Sequence, residues 1–299
     1  MAKKKNQILD SMIAKSRLNP KDLKNLDKNG FIIVEQSNYM KKNLSKLRKK
    51  SKLLIKLEKD KGGWEGKEKY FKKGKKFESG ADRLGGLVSK GSEFLGLIRI
   101  PEILDAAHHV TNDEIKICGL NLRNPTKNLG KQSVHIDGFP RNKRKDKYAG
   151  IVAFIYLDDT KLENGAMRIV PGSHKKLGWP DDHIDIHKKL KNEQRLILKA
   201  GSIVIANLNI WHAGATNYSG DLRRVIMLNI KNRNYDQLLN YKKYLTKEFK
   251  KKLSIRDKYL LAVRKEDPDQ ILDSGGSANQ KRREYFELKQ KKFFSVAKN

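Results

Sequence analysis

The amino-acid sequence predicts a mainly β protein with flanking helices, a sandwich or barrel whose double-sheet jelly-roll form is the one that carries cupin-like sites. Three observations point there. Short runs rich in β-branched and aromatic residues recur between residues 115 and 230, with turn residues between them. Residues 150–157, Gly-Ile-Val-Ala-Phe-Ile-Tyr-Leu, read as a strand apolar on both faces, as a central strand should be. Few helical patterns interrupt this region, and most lie before residue 110 or after 233.

Taken in order, residues 1–18 are basic and weakly patterned, a tail or a frayed helix. Asn19 then Pro20 starts a helix, because the amide side chain can cap the first turn and proline fits its first position. That helix ends near Asn29 and Gly30, and residues 31–34 read as a buried strand. From 37 to about 59, Leu44, Leu47, Leu54, Ile55 and Leu57 mark a lysine-rich amphipathic helix. Residues 60–92 mix Gly, Lys and aromatics without a period, the pattern of a loop or lid. Pro101 opens a further helix through Ala107, with His108 and His109 near its end. Adjacent helical residues diverge by about 100°, so that pair is a poor chelate.

Strand patterns follow at 115–122, broken by Asn124 and Pro125, then at 150–157 and at 166–170, which Pro171 and Gly172 end. Residues 174–193 are polar with a helix expected among them, and 195–199, 202–206 and 223–230 complete the series. After Arg233, Leu238, Tyr241, Leu245 and Phe249 form a helical stripe, 253–263 a second, 273–277 a break and 280–294 a basic helix. The chain therefore divides into a basic N-terminal tail and short helix (1–29), a β domain with N-terminal helices (30–233) and a basic helical extension (234–299).

The net charge of +32 admits nucleic acid, anionic lipid or a phosphorylated compound as partner. However, Lys outnumbers Arg roughly three to one and is scattered along the chain. A groove that grips phosphates bidentately would favour Arg. Solvated lysine-rich faces are the better reading, and nucleic acid is not the expected partner. The single Cys118 excludes an internal disulfide and fits a reducing compartment. No apolar h-region follows the basic start, and no run approaches the ~20 residues of a membrane span. A cytoplasmic protein is expected.

The chemistry centres on residues 133–137, Ser-Val-His-Ile-Asp. On a strand, residues i and i+2 share a face, so His135 and Asp137 present an imidazole and a carboxylate together. One more histidine from a neighbouring strand completes the two-His-one-carboxylate triad that holds Fe(II) with open positions, and His212 follows two further strand patterns. The same His-x-Asp string recurs at His183 and Asp185, with His187 beyond. That copy reads as the polar start of an exposed helix, on which i and i+2 diverge. No glutamate lies between His183 and His187 to serve a zinc-protease mechanism.

His135-Ile-Asp137, Leu157-Asp-Asp-Thr160, the run from Glu163 through Asn-Gly-Ala-Met-Arg-Ile-Val-Pro-Gly-Ser to His174, 199–204, 212–219 and Arg223-Arg224 occur in an order and spacing similar to one family. Over residues 30–232 the chain resembles the phytanoyl-CoA dioxygenase-like group of Fe(II)/2-oxoglutarate-dependent oxygenases. The resemblance implies a double-stranded β-helix in which His135, Asp137 and His212 bind Fe(II), with 2-oxoglutarate and O₂ as cosubstrates. Arg223 stands at the family's offset for the arginine that grips the distal carboxylate of 2-oxoglutarate, and Arg224 points to the opposite face. His174 belongs to the turn motif. The family often has Ser where this chain has Gly214, and Gln132 is a further contact to the iron or cosubstrate region. Asp137 implies hydroxylation, because related halogenases have a small residue there. The implied partner is a small-molecule or acyl substrate. The basic loop 141–147 is either a dock for an anionic group on it or a solvated hairpin tip. Two other readings are a β-barrel binding module without catalysis, holding an anionic partner, and a cupin-like isomerase or hydrolase with another metal.

Overall fold

The structure, a computed structural model, describes residues 7–235 and 237–263. The break expected at 273–277 and the helix expected at 280–294 lie outside the described residues.

Helix α1 (Gln7–Ile13) buries Leu9 and Met12. Helix α2 (Pro20–Asn29) starts as its caps dictate: the Asn19 side chain accepts from the Lys21 and Asp22 amides, and Asp22 reaches back to the Asn19 amide. It stops at Gly30 in the left-handed region, φ 83°. A Cβ at Gly30 would also collide with the His174 ring, so two constraints fix this glycine. Strand β1 (Phe31–Val34) and helix α3 (Asn38–Glu58, capped by Ser37) follow, the latter with Met40 and Leu47 fully buried.

Residues 60–92 contain more order than their composition suggests. After two single 3₁₀ turns comes strand β2 (Ala81–Leu84), four residues at a sheet edge, too short to show an alternation. Helix α4 (Ser92–Leu95) and helix α5 (Pro101–Thr111) lead to strand β3 (Ile115–Pro125). Strand β3 runs past the expected break because Pro125 is its last residue, opposite Ala81 of β2. Strands β4 (Gly150–Tyr156), β5 (Arg168–Ile169), β6 (Gln194–Arg195), β7 (Ile203–Asn207), β8 (His212–Ala213) and β9 (Val225–Asn232) complete the sheets. The short helices α6 (Tyr241–Tyr244), α7 (Lys247–Lys252) and α8 (Ile255–Leu260) close the described chain.

The helix expected within 174–193 does not form. Only 3₁₀ turns occur there, at 173–175 and 180–182. Gly178 turns into the left-handed region, and Asp182 is spent capping the Trp179 amide.

Six strands in the order β1-β7-β4-β9-β3-β2 form one antiparallel sheet, and β6-β5-β8 form a second. The two face each other as an open double-stranded β-helix. Alternation along the central strands builds two cores. Ile151, Ala153 and Ile155 of β4, with Ile226, Leu228 and Ile230 of β9, pack against Ile103 and Leu104 of α5 and Leu9 of α1. Val152, Phe154 and Tyr156 point the other way, toward Ile169 of the smaller sheet and Met167 just before its strand. Each fully buried aliphatic chain of this kind contributes roughly 1.5–3 kcal/mol. The helices thus cover one face of the large sheet, leaving the space between the sheets for a site.

Candidate metal centre

His135 and His212 face each other across a narrow antiparallel pair. The His135 amide donates to the His212 carbonyl at 3.0 Å and the His212 amide returns to His135 at 3.1 Å. This sets the ring centroids 4.4 Å apart. The segment is not the regular strand that the sequence suggests, since only His135 bridges and residues 137–138 bend. The Asp137 and Gly138 amides both donate to the Leu208 carbonyl at 3.0 Å, which turns the Asp137 carboxylate toward the imidazoles. Its Oδ1 lies 3.9 Å from His135 Nε2 and its Oδ2 3.6 Å from His212 Nε2.

The other ring nitrogens are committed. His135 Nδ1 is 2.8 Å from the Ser133 carbonyl, and His212 Nδ1 is 3.1 Å from that of Ile210. A carbonyl can only accept, so each Nδ1 donates and Nε2 is the nitrogen that each ring turns toward Asp137. Phe154 of β4 stands edge-on to the His212 ring at 5.2 Å. Ligand atoms of His135, Asp137 and His212 lie within 4.8 Å of one another, and among the described residues no other group of three could hold a metal.

The Pro-Gly-Ser-His turn sets the height of this centre. Ser173 Oγ donates to the Val170 carbonyl and accepts from the Trp211 amide at 2.8 Å, one residue before His212. His174 leaves the site: it is buried, its Nε2 is 3.2 Å from the Asp27 carbonyl, and burial pushes it down to about 4. The second His-x-Asp copy does not chelate. His183 Nε2 donates to the Leu177 carbonyl at 2.6 Å, His187 meets Ser133 Oγ, and Asp185 pairs with Lys188 on the surface.

A cavity of about 570 Å³ lies between the sheets, lined by the triad, Tyr156, Met167, Gln132 and Arg223. Arg223 does not face His212 across a hairpin, as turn residues 214–221 suggest. His212 lies in the smaller sheet and Arg223 precedes β9 of the larger, so the connection crosses between sheets. Buried Asn217 pins it by donating to the Pro125 and Asp221 carbonyls. Arg223 is only 2 % exposed, and its Nε and Nη2 have no partner. Burial pulls this guanidinium down to about 10. Beside it, burial pushes the Tyr156 phenol up to about 12. Arg224 takes the opposite face, in a bidentate pair with Asp158 at 2.7 and 2.8 Å.

Gln132 Oε1 accepts from the Gly214 amide at 3.1 Å. A Cβ at Gly214 would lie 2.7 Å from that oxygen and 3.1 Å from Arg123 Nη1, so the glutamine occupies the room a serine would need. Three further residues of this wall or behind it escape sequence reading. Glu78 binds both Arg83, at 2.7 Å, and Arg123, at 2.5 Å, and both guanidiniums line the cavity. The sequence offers no signal for Glu78 and Arg83, because residues 60–92 carry no period, and nothing at Arg123, beside a strand pattern, marks it as part of a site. The basic loop 141–147 lines neither this cavity nor the one beside it. Its Arg141 is spent on the Arg144 carbonyl and stacks on Tyr148.

An open double-stranded β-helix with a convergent His-Asp-His group defines a class of mononuclear metal proteins. A phytanoyl-CoA dioxygenase family profile matches residues 26–225, and the chain belongs to that family. It is 28% identical over 172 residues to the uncharacterized protein Rv1501 of Mycobacterium tuberculosis, covering 54% of this chain and 58% of that one. The chain therefore spans little more than half the length of this curated relative. Among solved structures, HygX of Streptomyces hygroscopicus with nickel and 2-oxoglutarate bound superposes with a TM-score of 0.55 at 14% identity, over 74% of this chain and 90% of that one. The α-ketoglutarate-dependent carbocyclase SnoK from nogalamycin biosynthesis gives 0.54 at 17%, over 73% and 85%. Among the described residues no helix is long and apolar enough to cross a membrane.

Proposed function

We propose that the protein is an Fe(II)/2-oxoglutarate-dependent dioxygenase that hydroxylates a C–H bond of a small-molecule or acyl substrate, releasing succinate and CO₂. The observation that carries the reading is Arg223. A buried guanidinium with two unpartnered nitrogens, sharing a cavity with three convergent metal-ligating groups, is suited to a ligand with a carboxylate at one end and a chelating group at the other. In this reading His135, Asp137 and His212 hold the metal, Arg223 holds the distal carboxylate, and Gln132 steadies the wall beside it. When bound, the metal with 2-oxoglutarate and O₂ supplies the oxidation of the C–H bond.

The chain's own residues then position and exclude. The Ser133 and Ile210 carbonyls fix Nδ1 as the donor nitrogen of each ring and so present Nε2 as the atom that would ligate the metal. Phe154, Met167, Met227 and Trp179 line the cavity with apolar surface and strengthen the Arg223 pair by keeping water away. Tyr156, protonated throughout the physiological range, is a neutral donor beside Arg223. The carboxylate of Asp137 as third ligand supports hydroxylation.

The test is succinate formation from 2-oxoglutarate on adding Fe(II), O₂ and a substrate panel. Asp137→Ala is expected to abolish it and Asp185→Ala to leave most of it. Succinate formation unaffected by Asp137→Ala contradicts the proposal, and metal binding with no succinate under any substrate favours a binding module.

A further inference from the structure

A second cavity, about 260 Å³, adjoins the first and shares Arg83, Asp137, Trp179 and Met227 with it. We infer that this chamber takes the substrate, a small molecule or the end of a larger one bearing a carboxylate, and that Arg83 is the residue that recognises that carboxylate. The inference rests on the oxygenase reading, since it assumes that the first cavity is filled by metal and cosubstrate.

Three observations support it. The chamber touches the metal group only at Asp137, so a molecule in it reaches the centre without displacing anything at Arg223. Its volume lies just below the range of roughly 300–1,000 Å³ for whole-ligand cavities, room for a small molecule or one end of a larger one. Its walls are mostly apolar or neutral, with Phe77, Phe139, Trp179 and Leu239 among them.

Charge supplies the second argument. Arg83 and Arg123 share the single carboxylate of Glu78, so that cluster carries one positive charge in excess, while Asp137 and Asp181 are the carboxylates that line the larger cavity itself. A divalent metal and dianionic 2-oxoglutarate cancel each other, so loading the site leaves the charge of the cluster as it is. A monoanionic group beside Arg83 is complementary to it.

Geometry places that charge. Glu78 occupies Nε and Nη2 of Arg83, and among the described residues Nη1 has no hydrogen-bond partner. Arg123 spends Nε and Nη2 on Glu78 and the Gly130 carbonyl, and neither it nor Arg223 lines the second chamber. Arg83 alone among the three lines both cavities. Glu65, also on the chamber wall, is engaged through Oε1 by Lys90 and the Gly85 amide, while its buried Oε2 has no partner. Lys67, over the Phe77 ring at 4.9 Å, adds positive potential. The loop at 62–67 and Phe77 thus roofs the chamber, which gives the irregular stretch 60–92 a role in binding.

The experiment is calorimetric titration of the full chain loaded with Ni(II) and 2-oxoglutarate. Probes are short aliphatic and arylalkyl monocarboxylates, their primary amides and the matching phosphate monoesters. Uptake of 2-oxoglutarate is measured first; its absence refutes the oxygenase reading itself, separately from this inference. At least one carboxylate is expected to bind about tenfold or more tighter than its amide, the scale of a charge-assisted hydrogen bond. Arg83→Gln is expected to bring that ratio to about one, and Arg83→Lys, which keeps the charge but loses the fork, to reduce it partly. The inference is overturned if no acid is preferred over its amide, if phosphate monoesters are preferred, or if either variant keeps the full preference.

Discussion

Arg223 is a costly residue to bury. Its guanidinium has been stripped of water, and two of its nitrogens receive nothing in return. Such a cost is retained where a ligand repays it. Arg223→Met should therefore stabilise the ligand-free protein by about 1–3 kcal/mol, read as a rise of a few degrees in Tm. The same variant should lose the further rise that 2-oxoglutarate with Ni(II) produces in the wild type. Arg223→Lys should weaken 2-oxoglutarate binding roughly tenfold or more, because an ammonium cannot reproduce the fork. An undiminished cosubstrate-dependent rise in Arg223→Met contradicts this account. At this scale the sequence is legible where a residue type and its offset suffice, as for His135, Asp137, His212 and Arg223. Arg83 and Glu78 were not legible, because their places depend on a four-residue edge strand and a loop whose path only tertiary contacts determine.

Among elements, strands buried on both faces were the easiest to read. Residues 150–157 are apolar throughout because β4 serves the helix-side core with its odd-numbered residues and the inter-sheet core with its even-numbered ones. Turn residues at 214–221 announce a change of direction but not the sheet the chain enters next, and here the chain crosses from the smaller sheet to the larger. Similarly, 174–193 has helix-start residues, yet Gly178 and the capping role of Asp182 divert it into isolated turns.

The turn at 171–175 makes a pH prediction. Burial, with smaller contributions from Lys175 and Arg141, pushes His174 down to about 4, while its bond to the Asp27 carbonyl acts against the shift. Between about pH 4 and 6.5 the unfolded chain binds a proton that the folded ring does not. Stability is therefore lost as pH falls through that window and is flat above it. The contribution is on the order of 2 kcal/mol between about pH 5 and 7.5. Urea midpoints at these two pH values should differ less in His174→Gln than in the wild type. An equal difference removes His174 as the cause.

At the scale of the whole molecule, three layers explain where the site lies. Helices shield the outer face of the six-stranded sheet, and the smaller sheet leaves an open space over its inner face. The large positive charge takes little part in this. On α3, for example, Met40, Leu47 and Ser51 face inward while Lys41, Lys42, Lys46 and Lys49 stay in solvent. The charge that bears on the site is that of Arg83, Arg123 and Arg223 set against Glu78, Asp137 and Asp181.

The central claim is that His135, Asp137 and His212, rather than the second His-x-Asp copy, hold the iron that 2-oxoglutarate chelates. Its most direct measurement is the visible metal-to-ligand charge-transfer band that an Fe(II)–2-oxoglutarate chelate gives under anaerobic conditions. The wild type and His187→Ala should develop the band on addition of both components, and His212→Ala should not. A band that survives His212→Ala, or one lost in His187→Ala, contradicts the account.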